Sequence, residues 1–287
     1  MAARPVSEHE HGPRAREVGE VPAVELQNVG AARDGRVVWS DADVRIEQGE
    51  FVAVLGPNGS GKSTLLDLLL GLLQPASGTV RVLGGRPGTN GSALGYLPQR
   101  HAFDATTRIR GIDIVRLGLD GTRYGLPLPW QHGYRRKLKE VLELVGASAY
   151  AARPIGECSG GEQQRLLIAR TLVSSPRLLL LDEPLDSLDL PNQSAVAALV
   201  DRIRRQRGVT VLLVAHDVNP LLPYIDRVVY VAGGRVLTGS PDQVITGETL
   251  SALYQTPIEV LRTSDGRLVV VGNPEAPAHH TDRHEHP

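Results

Sequence analysis

Alternating and continuous runs of apolar residues divide the chain into strands and helices. Alternation over 23–29 and short β-branched apolar runs further along are typical of strands, and fully apolar runs are typical of strands buried in a parallel sheet. The predicted strands cover 23–29, 49–56, 77–85, 93–99, 177–184, 209–217 and 227–239. Apolar residues at helical spacing predict helices over 61–73, 135–146, 165–175 and 194–208. Because strands and helices alternate, we expect an α/β fold with a mainly parallel sheet.

Segments without strand patterning divide the chain further. Polar, proline-bearing residues at 1–22 and 273–287 predict disordered tails. A helical pattern over about 100–165 interrupts the alternation and predicts an inserted helical subdomain within a domain of residues 23–240. Residues 241–272 predict a helix and a closing hairpin, an extension that could regulate the domain or take part in dimerisation.

Composition and charge narrow the classes of function. The 287 residues are 41% hydrophobic and 22% charged, which is enough to bury a sizeable core. The net charge of −1 argues against bulk binding to nucleic acid or to an anionic membrane. A single cysteine excludes an intrachain disulfide and fits a reducing compartment. The N-terminus lacks the apolar core of a secretory signal and no run reaches the ~18 apolar residues of a membrane span, so a membrane role would need a partner.

A glycine-rich segment is the first candidate functional site. GPNGSGKST lies between a predicted strand and a predicted helix, the context that the phosphate-loop pattern G-x-x-x-x-G-K-[ST] requires. Small residues let backbone N–H groups approach phosphate oxygens, and the helix N-terminus adds positive potential. Lys62 is expected to reach the β- and γ-phosphates of ATP and the Ser63 hydroxyl to bind Mg²⁺, whereas the alternative is a glycine-rich turn with an incidental lysine. The predicted ATP-binding residues of the loop are Gly56, Pro57, Asn58, Gly59, Ser60, Gly61, Lys62, Ser63 and Thr64.

A pair of carboxylates follows the apolar strand predicted over 177–184. Ligands of open α/β sheets bind outside the carboxyl ends of the strands, which places Asp182 and Glu183 near the phosphate loop. We expect Asp182 to hold Mg²⁺ and Glu183 to act as general base toward an attacking water. The alternative is a helix cap and a solvated charge ahead of Pro184.

Further motifs, in order along the chain, complete a resemblance to a known family. They are YLPQ with Gln99, CSGGE at 158–162, SLD at 187–189 and AHD with His216. With the phosphate loop and the carboxylate pair, they make residues 23–240 resemble the ATP-binding-cassette (ABC) ATPases. The resemblance implies a P-loop NTPase core of the RecA-like type with a mainly parallel sheet, an antiparallel β subdomain and an inserted α-helical subdomain.

The family's motifs imply roles for the matching residues. Gln99 would contact Mg²⁺, the attacking water and the transporter's membrane domain, and His216 would contact the γ-phosphate. In the family two subunits sandwich two ATP molecules, and each phosphate loop faces the signature motif of the other subunit. The residues that would bind nucleotide across this interface are Ser159, Gly160, Gly161, Glu162 and Asp189. We expect the partner to be a second copy of the chain, with a related chain as the alternative.

Two positions depart from the family pattern. The aromatic residue that usually stacks on adenine aligns with Arg33, and Trp39 falls where an apolar strand residue is expected. A guanidinium plane can stack on a ring, so Arg33 is predicted to replace that contact, with a solvated surface arginine as the alternative. In the signature motif, Cys158 replaces a leucine and is expected to pack as a small hydrophobe. Glu162 replaces a neutral amide, and the helix dipole would partly offset its charge.

The resemblance also predicts what the ATPase would drive. The segments LDEPLDSLD and AHDVNPLLPYIDRVVYVAGGRVLTGSP are most similar to the ATPases of zinc/manganese-type metal importers. This implies an integral membrane permease, an extracytoplasmic solute-binding protein and a position at the cytoplasmic face of the plasma membrane. Trp130 and Tyr134 would suit an anchor for the permease, with ordinary packing of the helical subdomain as the alternative.

Histidines in the two tails add a hint of metal cargo. Neutral imidazole binds Zn²⁺, and the tails hold six of the nine histidines, namely His9, His11, His279, His280, His284 and His286. A polar tail that binds no metal is the alternative.

The other open alternatives for the function of the protein are an ABC motor for a siderophore or another small nutrient, a soluble ABC ATPase acting in DNA repair or translation, and a P-loop protein without useful hydrolysis. A single cassette, a near-zero charge and the presence of Asp182, Glu183 and His216 favour a transport motor.

Overall fold

The computed structural model describes residues 21–99, 103–120, 131–264 and 266–271. The strands are β1 (Val24–Arg33), β2 (Arg36–Ile46), β3 (Phe51–Leu55), β4 (Ser77–Val82), β5 (Leu94–Leu97), β6 (Leu178–Asp182), β7 (Thr210–Val214), β8 (Arg227–Ala232), β9 (Arg235–Gly239), β10 (Glu259–Arg262) and β11 (Leu268–Val271). The helices are α1 (Lys62–Leu70), α2 (Gly111–Asp120), α3 (Gln131–Val145), α4 (Gly160–Leu172), α5 (Leu190–Arg207), α6 (Pro241–Val244) and α7 (Gly247–Tyr254).

Six strands form the main sheet in the order β5-β6-β7-β3-β8-β9. All neighbours are parallel except β8 and β9, which form an antiparallel hairpin. Strands β6 and β7 are buried along their whole length, which is why their sequences LLLLD and TVLLV are apolar without alternation. The prediction of a mainly parallel sheet in an α/β fold is confirmed.

A second sheet has the order β2-β1-β4 and is antiparallel throughout. In its register Val24 of β1 lies between Ile46 of β2 and Val82 of β4. This sheet is the antiparallel subdomain that the family resemblance implies. Strand β2 was not predicted from periodicity, because its polar side chains interrupt the apolar ones, yet its Trp39 is completely buried as expected of an apolar strand position.

The main sheet separates two apolar cores. Side chains alternate between the two faces of a strand, so in β3 Val52 and Val54 enter a core shared with α1 and the antiparallel sheet. Ala53 and Leu55 enter the opposite core, which is shared with α2, α3, α4 and α5. The loops at the ends of these strands are therefore supported from both sides.

Two helices begin earlier along the chain than the apolar pattern predicts. Helix α4 begins at Gly160 with Ser159 as its N-cap, and α5 begins at Leu190 with Asp189 as its N-cap and Pro191 in the first turn. Capping side chains satisfy the first backbone N–H groups, and a proline in the first turn sacrifices no helical hydrogen bond. The motifs CSGGE and SLD thus lie at helix N-termini.

The segment after β9 contains the predicted helix and hairpin, with two short helices, α6 and α7, in place of one. Its Leu250, Ile258 and Leu268 belong to the core that contains α4 and α5. The two tails and Trp130 lie outside the described residues, and so does the side chain of Tyr134. Within the described ranges, none of the helices combines the length and the apolar character needed to cross a membrane.

Candidate functional site

Loops at the carboxyl edge of the main sheet enclose a cleft of about 530 Å³. Strands β3, β5, β6 and β7 are mutually parallel, so their carboxyl ends reach the same edge. The cleft brings together the phosphate loop, the segments that follow three of these strands, and two residues of strands β1 and β2. The described residues that line it are Arg33, Val38, Asn58, Gly59, Gly61, Lys62, Ser63, Thr64, Gln99, Glu183, Asp186 and His216.

Close packing and unusual backbone angles explain two glycines of the phosphate loop. Gly56 has a φ of 142°, and a Cβ atom there would lie 2.0 Å from the carbonyl oxygen of Val231. Gly61 has a φ of 104°, and its Cβ would lie 2.5 Å from Val38 and 2.8 Å from the indole of Trp39. Only glycine fits both positions without distortion. The completely buried Trp39 is therefore part of the floor that supports the loop.

Lys62 is held inside the loop. Its side chain is 6% exposed, and its Nζ donates to the carbonyl oxygens of Gly56 at 2.8 Å and Pro57 at 3.0 Å. Burial lowers the pKa of Lys62, while the nearby carboxylates of Glu183 and Asp182 act in the opposite direction. A buried ammonium group on this edge of the sheet attracts anions.

The N-terminus of α1 also fits a phosphate group. Its N-cap is Gly61, and no side chain caps the helix. The first N–H groups of an α-helix have no partner within the helix, so those of α1 remain available to phosphate oxygens. The hydroxyl of Ser60 is buried and has no hydrogen-bond partner among the described residues, which leaves a further polar atom in the loop for a ligand.

Asp182 ends β6 beside the loop. It is 8% exposed, and the backbone N–H of Gln99 donates to its carboxylate. Burial first, and then the charge of Glu183, raise the pKa of Asp182 from 3.8 to about 6. A buried carboxylate of this kind favours a nearby cation. Ser63, Gln99 and Asp182 offer hydroxyl, amide and carboxylate oxygens, the ligands that Mg²⁺ prefers.

Glu183 is the centre of a cluster of polar side chains. Its φ of 50° is in the left-handed region, and its backbone N–H donates to the carbonyl of Val214 at 3.1 Å, which fixes the turn at the end of β6. The side-chain amide of Gln99 donates to one oxygen of the Glu183 carboxylate. The Nε2 atom of His216 lies 2.8 Å from the other oxygen. The structure therefore brings the predicted catalytic residues Gln99 and His216 into contact with the third, Glu183.

Asp186 is a second carboxylate at the same histidine. Its Oδ2 lies 3.4 Å from the Nε2 of His216. Burial raises the pKa of Asp186, His216 counteracts this effect, and Glu183 adds to it. Asp186 was not predicted as a site residue, although it lies in the segment LDEPLDSLD as a third acid after Asp182 and Glu183.

The signature residues lie outside the cleft, at the N-terminus of α4. The hydroxyl of Ser159 accepts a hydrogen bond from the N–H of Glu162 at 3.3 Å, and the Glu162 carboxylate accepts one from the N–H of Ser159 at 2.8 Å. Cys158 is 6% exposed, its burial raises the thiol pKa, and it packs in the apolar core as predicted. None of the predicted residues of this group lines the cleft in the described part of the same chain, namely Ser159, Gly160, Gly161, Glu162 and Asp189.

Arg33 lines the open side of the cleft. Its guanidinium group forms an ion pair with Asp67 of α1, and about half of the side chain is exposed. Arg33 therefore lies at the cleft, and its contact with adenine stays a prediction. Asp67 was missed because its partner lies 34 residues away, a separation at which no local pattern connects the two.

Comparisons with known proteins identify the family of the chain. A family model described as ABC transporter matches residues 39–186. The chain is 36% identical to the zinc transport system ATP-binding protein TroB of Treponema pallidum, over 81% of this chain and 86% of that protein. It is 33% identical to the manganese transport system ATP-binding protein MntB of Bacillus subtilis, over 80% of this chain and 92% of that protein.

Two solved structures of ABC transporter chains are also similar to this chain. A chain from an inward-facing ABC transporter, described as of the metal-chelate type, superposes with a TM-score of 0.74 and 28% identity, over 88% of this chain and 98% of that one. The protein cbiO1 of Clostridium perfringens, part of the ABC transporter complex cbiONQ, superposes with a TM-score of 0.69 and 25% identity, over 81% and 94% of the two chains. The predicted P-loop core with an antiparallel β subdomain is thereby confirmed, and the chain belongs to the ATP-binding-cassette family of transporter ATPases.

Proposed function

We propose that this ABC ATPase is the motor subunit of an importer for a divalent metal ion of the zinc/manganese type. The observation that carries the ATPase part is the meeting of Gln99, Glu183 and His216 in one cleft with Lys62. Relatives named for zinc and manganese transport, 33–36% identical over most of the chain, support the cargo.

Nucleotide binding is assigned to the phosphate loop, the N-terminus of α1 and the neighbouring oxygen ligands. Lys62, which is now held by two loop carbonyls, would donate instead to the β- and γ-phosphates of ATP, and the N–H groups at the start of α1 would donate to phosphate oxygens. Ser63, Gln99 and Asp182 would hold Mg²⁺. That ion, when bound, supplies positive charge that stabilises the transferred phosphoryl group. The raised pKa of Asp182 fits a residue whose charge is compensated only in the loaded site.

Hydrolysis is assigned to the cluster around Glu183. Glu183 would orient the attacking water and accept its proton as general base. His216 would donate from Nε2 to the γ-phosphate, which requires it to leave Glu183 and Asp186. Phosphoryl transfer needs mainly positioning and charge stabilisation, which agrees with a site built from loop side chains and backbone donors.

The second half of each site is assigned to another subunit. Within the described part of one chain the signature residues do not line the cleft. The Ser159 hydroxyl and the first N–H groups of α4, at Gly160 and Gly161, would therefore bind a phosphate held by a partner. We propose a dimer of two copies in which Ser159, Gly160 and Gly161 bind the partner's γ-phosphate at the N-terminus of α4 and Asp189 lies at the interface. Closure would depend on that phosphate and end with its hydrolysis.

Transport is assigned to association with a membrane permease. We propose that the helical subdomain, about 100–165 within a catalytic domain of 23–240, receives the permease, with residues 241–272 as an extension. An extracytoplasmic solute-binding protein would deliver the metal, and the ATPase would lie at the cytoplasmic face of the plasma membrane. The proposal excludes nucleic acid as a partner, in line with the net charge of −1.

The test is ATP hydrolysis by the complex reconstituted in lipid vesicles with its permease and binding protein. Zinc, manganese and a ferric siderophore are added separately to the binding protein, and phosphate release and metal uptake are measured. We expect zinc or manganese to stimulate both. The Glu183→Gln variant is the control for hydrolysis by other proteins, because it should abolish both signals.

Three results would contradict the proposal at different levels. Stimulation by the siderophore alone would replace the cargo and keep the transport motor. Failure to associate with any permease, combined with ATPase activity of the isolated chain, would favour a soluble ABC ATPase. Absence of hydrolysis in every reconstituted state would favour a nucleotide-binding protein without useful turnover.

A further inference from the structure

We infer that Asn219 is a positioning residue that fixes the segment after His216 by clamping it to the C-terminal hairpin β10–β11. The inference rests on the proposed function, since it concerns the placement of the residue proposed to contact the γ-phosphate. It gives the C-terminal extension a role in hydrolysis that the ABC motifs do not assign.

The clamp consists of two hydrogen bonds between a side-chain amide and one backbone residue. The Oδ1 of Asn219 accepts from the N–H of Leu268 at 2.7 Å, and its Nδ2 donates to the carbonyl of Leu268 at 3.0 Å. The amide therefore pairs with Leu268 as a neighbouring strand residue would, across 49 residues of sequence. Two parallel bonds fix both the distance and the orientation of the two segments.

The same amide also orders the chain next to His216. The Nδ2 of Asn219 donates to the Oδ1 of Asp217 at 2.7 Å, and its backbone N–H donates to that oxygen at 2.9 Å. Both amide hydrogens are thus used, one toward Asp217 and one toward Leu268, and the oxygen accepts from Leu268. Only an amide supplies this combination of two donors and one acceptor.

The hairpin is itself firmly attached, so it can serve as a support. Leu268 is 7% exposed and Ile258 is 4% exposed in the core that contains α4 and α5. The hydroxyl of Ser251 accepts from the N–H of Ile258 at 2.8 Å and donates to its carbonyl at 3.2 Å. Side-chain contacts therefore attach the hairpin at Ser251 in α7, at Asn219 and, through Arg262, at Asp242 in α6.

His216 depends on such a support because its own side chain is loosely packed. The His216 side chain is 38% exposed, and the contacts described above are to the carboxylates of Glu183 and Asp186. On the upstream side, the N–H of Ala215 donates to the carbonyl of Val54 at 3.1 Å, so the main sheet holds the chain. On the downstream side, the buried Val218 and the hydrogen bonds of Asn219 provide the corresponding attachment. A displacement of ~1 Å at a catalytic group can lower a rate by a factor of about 100.

The test compares Asn219→Asp with Ser251→Ala in the full chain. Asn219→Asp keeps the shape but replaces the donor by an oxygen that faces Asp217 and the Leu268 carbonyl, so we expect kcat for ATP to fall about tenfold with little change in KM. Ser251→Ala loosens a different attachment of the same hairpin. It should lower the melting temperature and leave kcat unchanged. Asn219→Ala removes the clamp without adding charge and replaces Asn219→Asp if that variant does not fold.

The second measurement is the NMR resonance of the His216 imidazole, assigned by its loss in His216→Ala. We expect it to shift in the Asn219 variants and not in Ser251→Ala. If all variants lose kcat only in proportion to stability and the resonance does not move, Asn219 is merely structural and the inference is wrong. If His216→Ala keeps the parental kcat while the Asn219 variants still shift the resonance, the positioning stands and the proposed role of His216 fails.

Discussion

The carboxylate of Glu162 and the hydroxyl of Ser159 cap each other's backbone N–H groups at the start of α4, with distances of 2.8 and 3.3 Å. Arg153 lies 3.5 Å from the second oxygen of Glu162. The acid that replaces the family's neutral amide is thus used to begin the helix, and a neighbouring cation partly neutralises it.

Glu162→Gln separates the cap from the charge. Glutamine also completes a capping box, so we expect the free energy of unfolding to change by less than about 0.5 kcal/mol. Removal of the negative charge should tighten ATP-dependent dimerisation, measured by analytical ultracentrifugation in a Glu183→Gln background. Glu162→Ala is the control, since it should lose about 1 kcal/mol of stability with the cap. Unchanged dimerisation in Glu162→Gln would show that this charge does not oppose closure.

Glu183→Gln tests the proposed general base. The amide keeps the size of the side chain but cannot accept a proton, so phosphate release should stop while ATP remains bound. The trapped nucleotide should then produce a stable dimer, visible by gel filtration with ATP and absent with ADP. ATP hydrolysis at the parental rate would remove Glu183 from its role.

Asp182→Asn tests the consequence of the buried carboxylate. The folded-state pKa of about 6 lies above the ordinary 3.8, so the native state binds a proton more tightly and the parent loses stability as pH rises through this range. Asparagine does not titrate. In nucleotide-free protein the variant should therefore gain on the order of 2 kcal/mol relative to the parent between pH 4 and pH 7, measured by urea unfolding.

Addition of ATP with Mg²⁺ should reverse the comparison, because it stabilises the parent and leaves Asp182→Asn nearly unchanged. A difference between the two proteins that is constant from pH 4 to pH 7 would contradict the assignment of the raised pKa to Asp182.

Arg33→Ala tests stacking on adenine. A cation over an aromatic ring contributes about 0.5–2 kcal/mol, so the Kd for ATP should rise roughly 2- to 30-fold, whereas the Kd for inorganic triphosphate should not change. Asp67→Asn is the matched control, since it breaks the ion pair and keeps the guanidinium group. Equal weakening of both ligands in Arg33→Ala would identify Arg33 as a general electrostatic contact.

Local sequence patterns were sufficient to predict an element or a loop where a single segment contains the whole pattern. The run LLLLD predicts β6 and places Asp182 at the carboxyl edge, and GPNGSGKST predicts the loop before α1. The early start of α4 was also predictable, because Ser159 and Glu162 have the spacing of a capping box.

Contacts between distant segments could not be predicted in this way. The pairing of Arg33 with Asp67 and the clamp between Asn219 and Leu268 join residues 34 and 49 positions apart. They depend on how sheets and helices pack, which periodicity does not encode. Strand β2 was missed for a related reason, since its polar face is exposed and its buried Trp39 has meaning only beside Gly61.

The separation of the two cores has a consequence for the exchange of parts between related proteins. The buried side chains of α2 and α3 contribute to one core. Those of α1, the helix that follows the phosphate loop, contribute to the other. A graft that replaces the segment from α2 to α3 with that of a relative changes the surface offered to the proposed permease and one of the two cores, and leaves the packing of α1 against the antiparallel sheet intact. The fold thus separates the helices that would contact the permease, α2 and α3, from the core that supports α1.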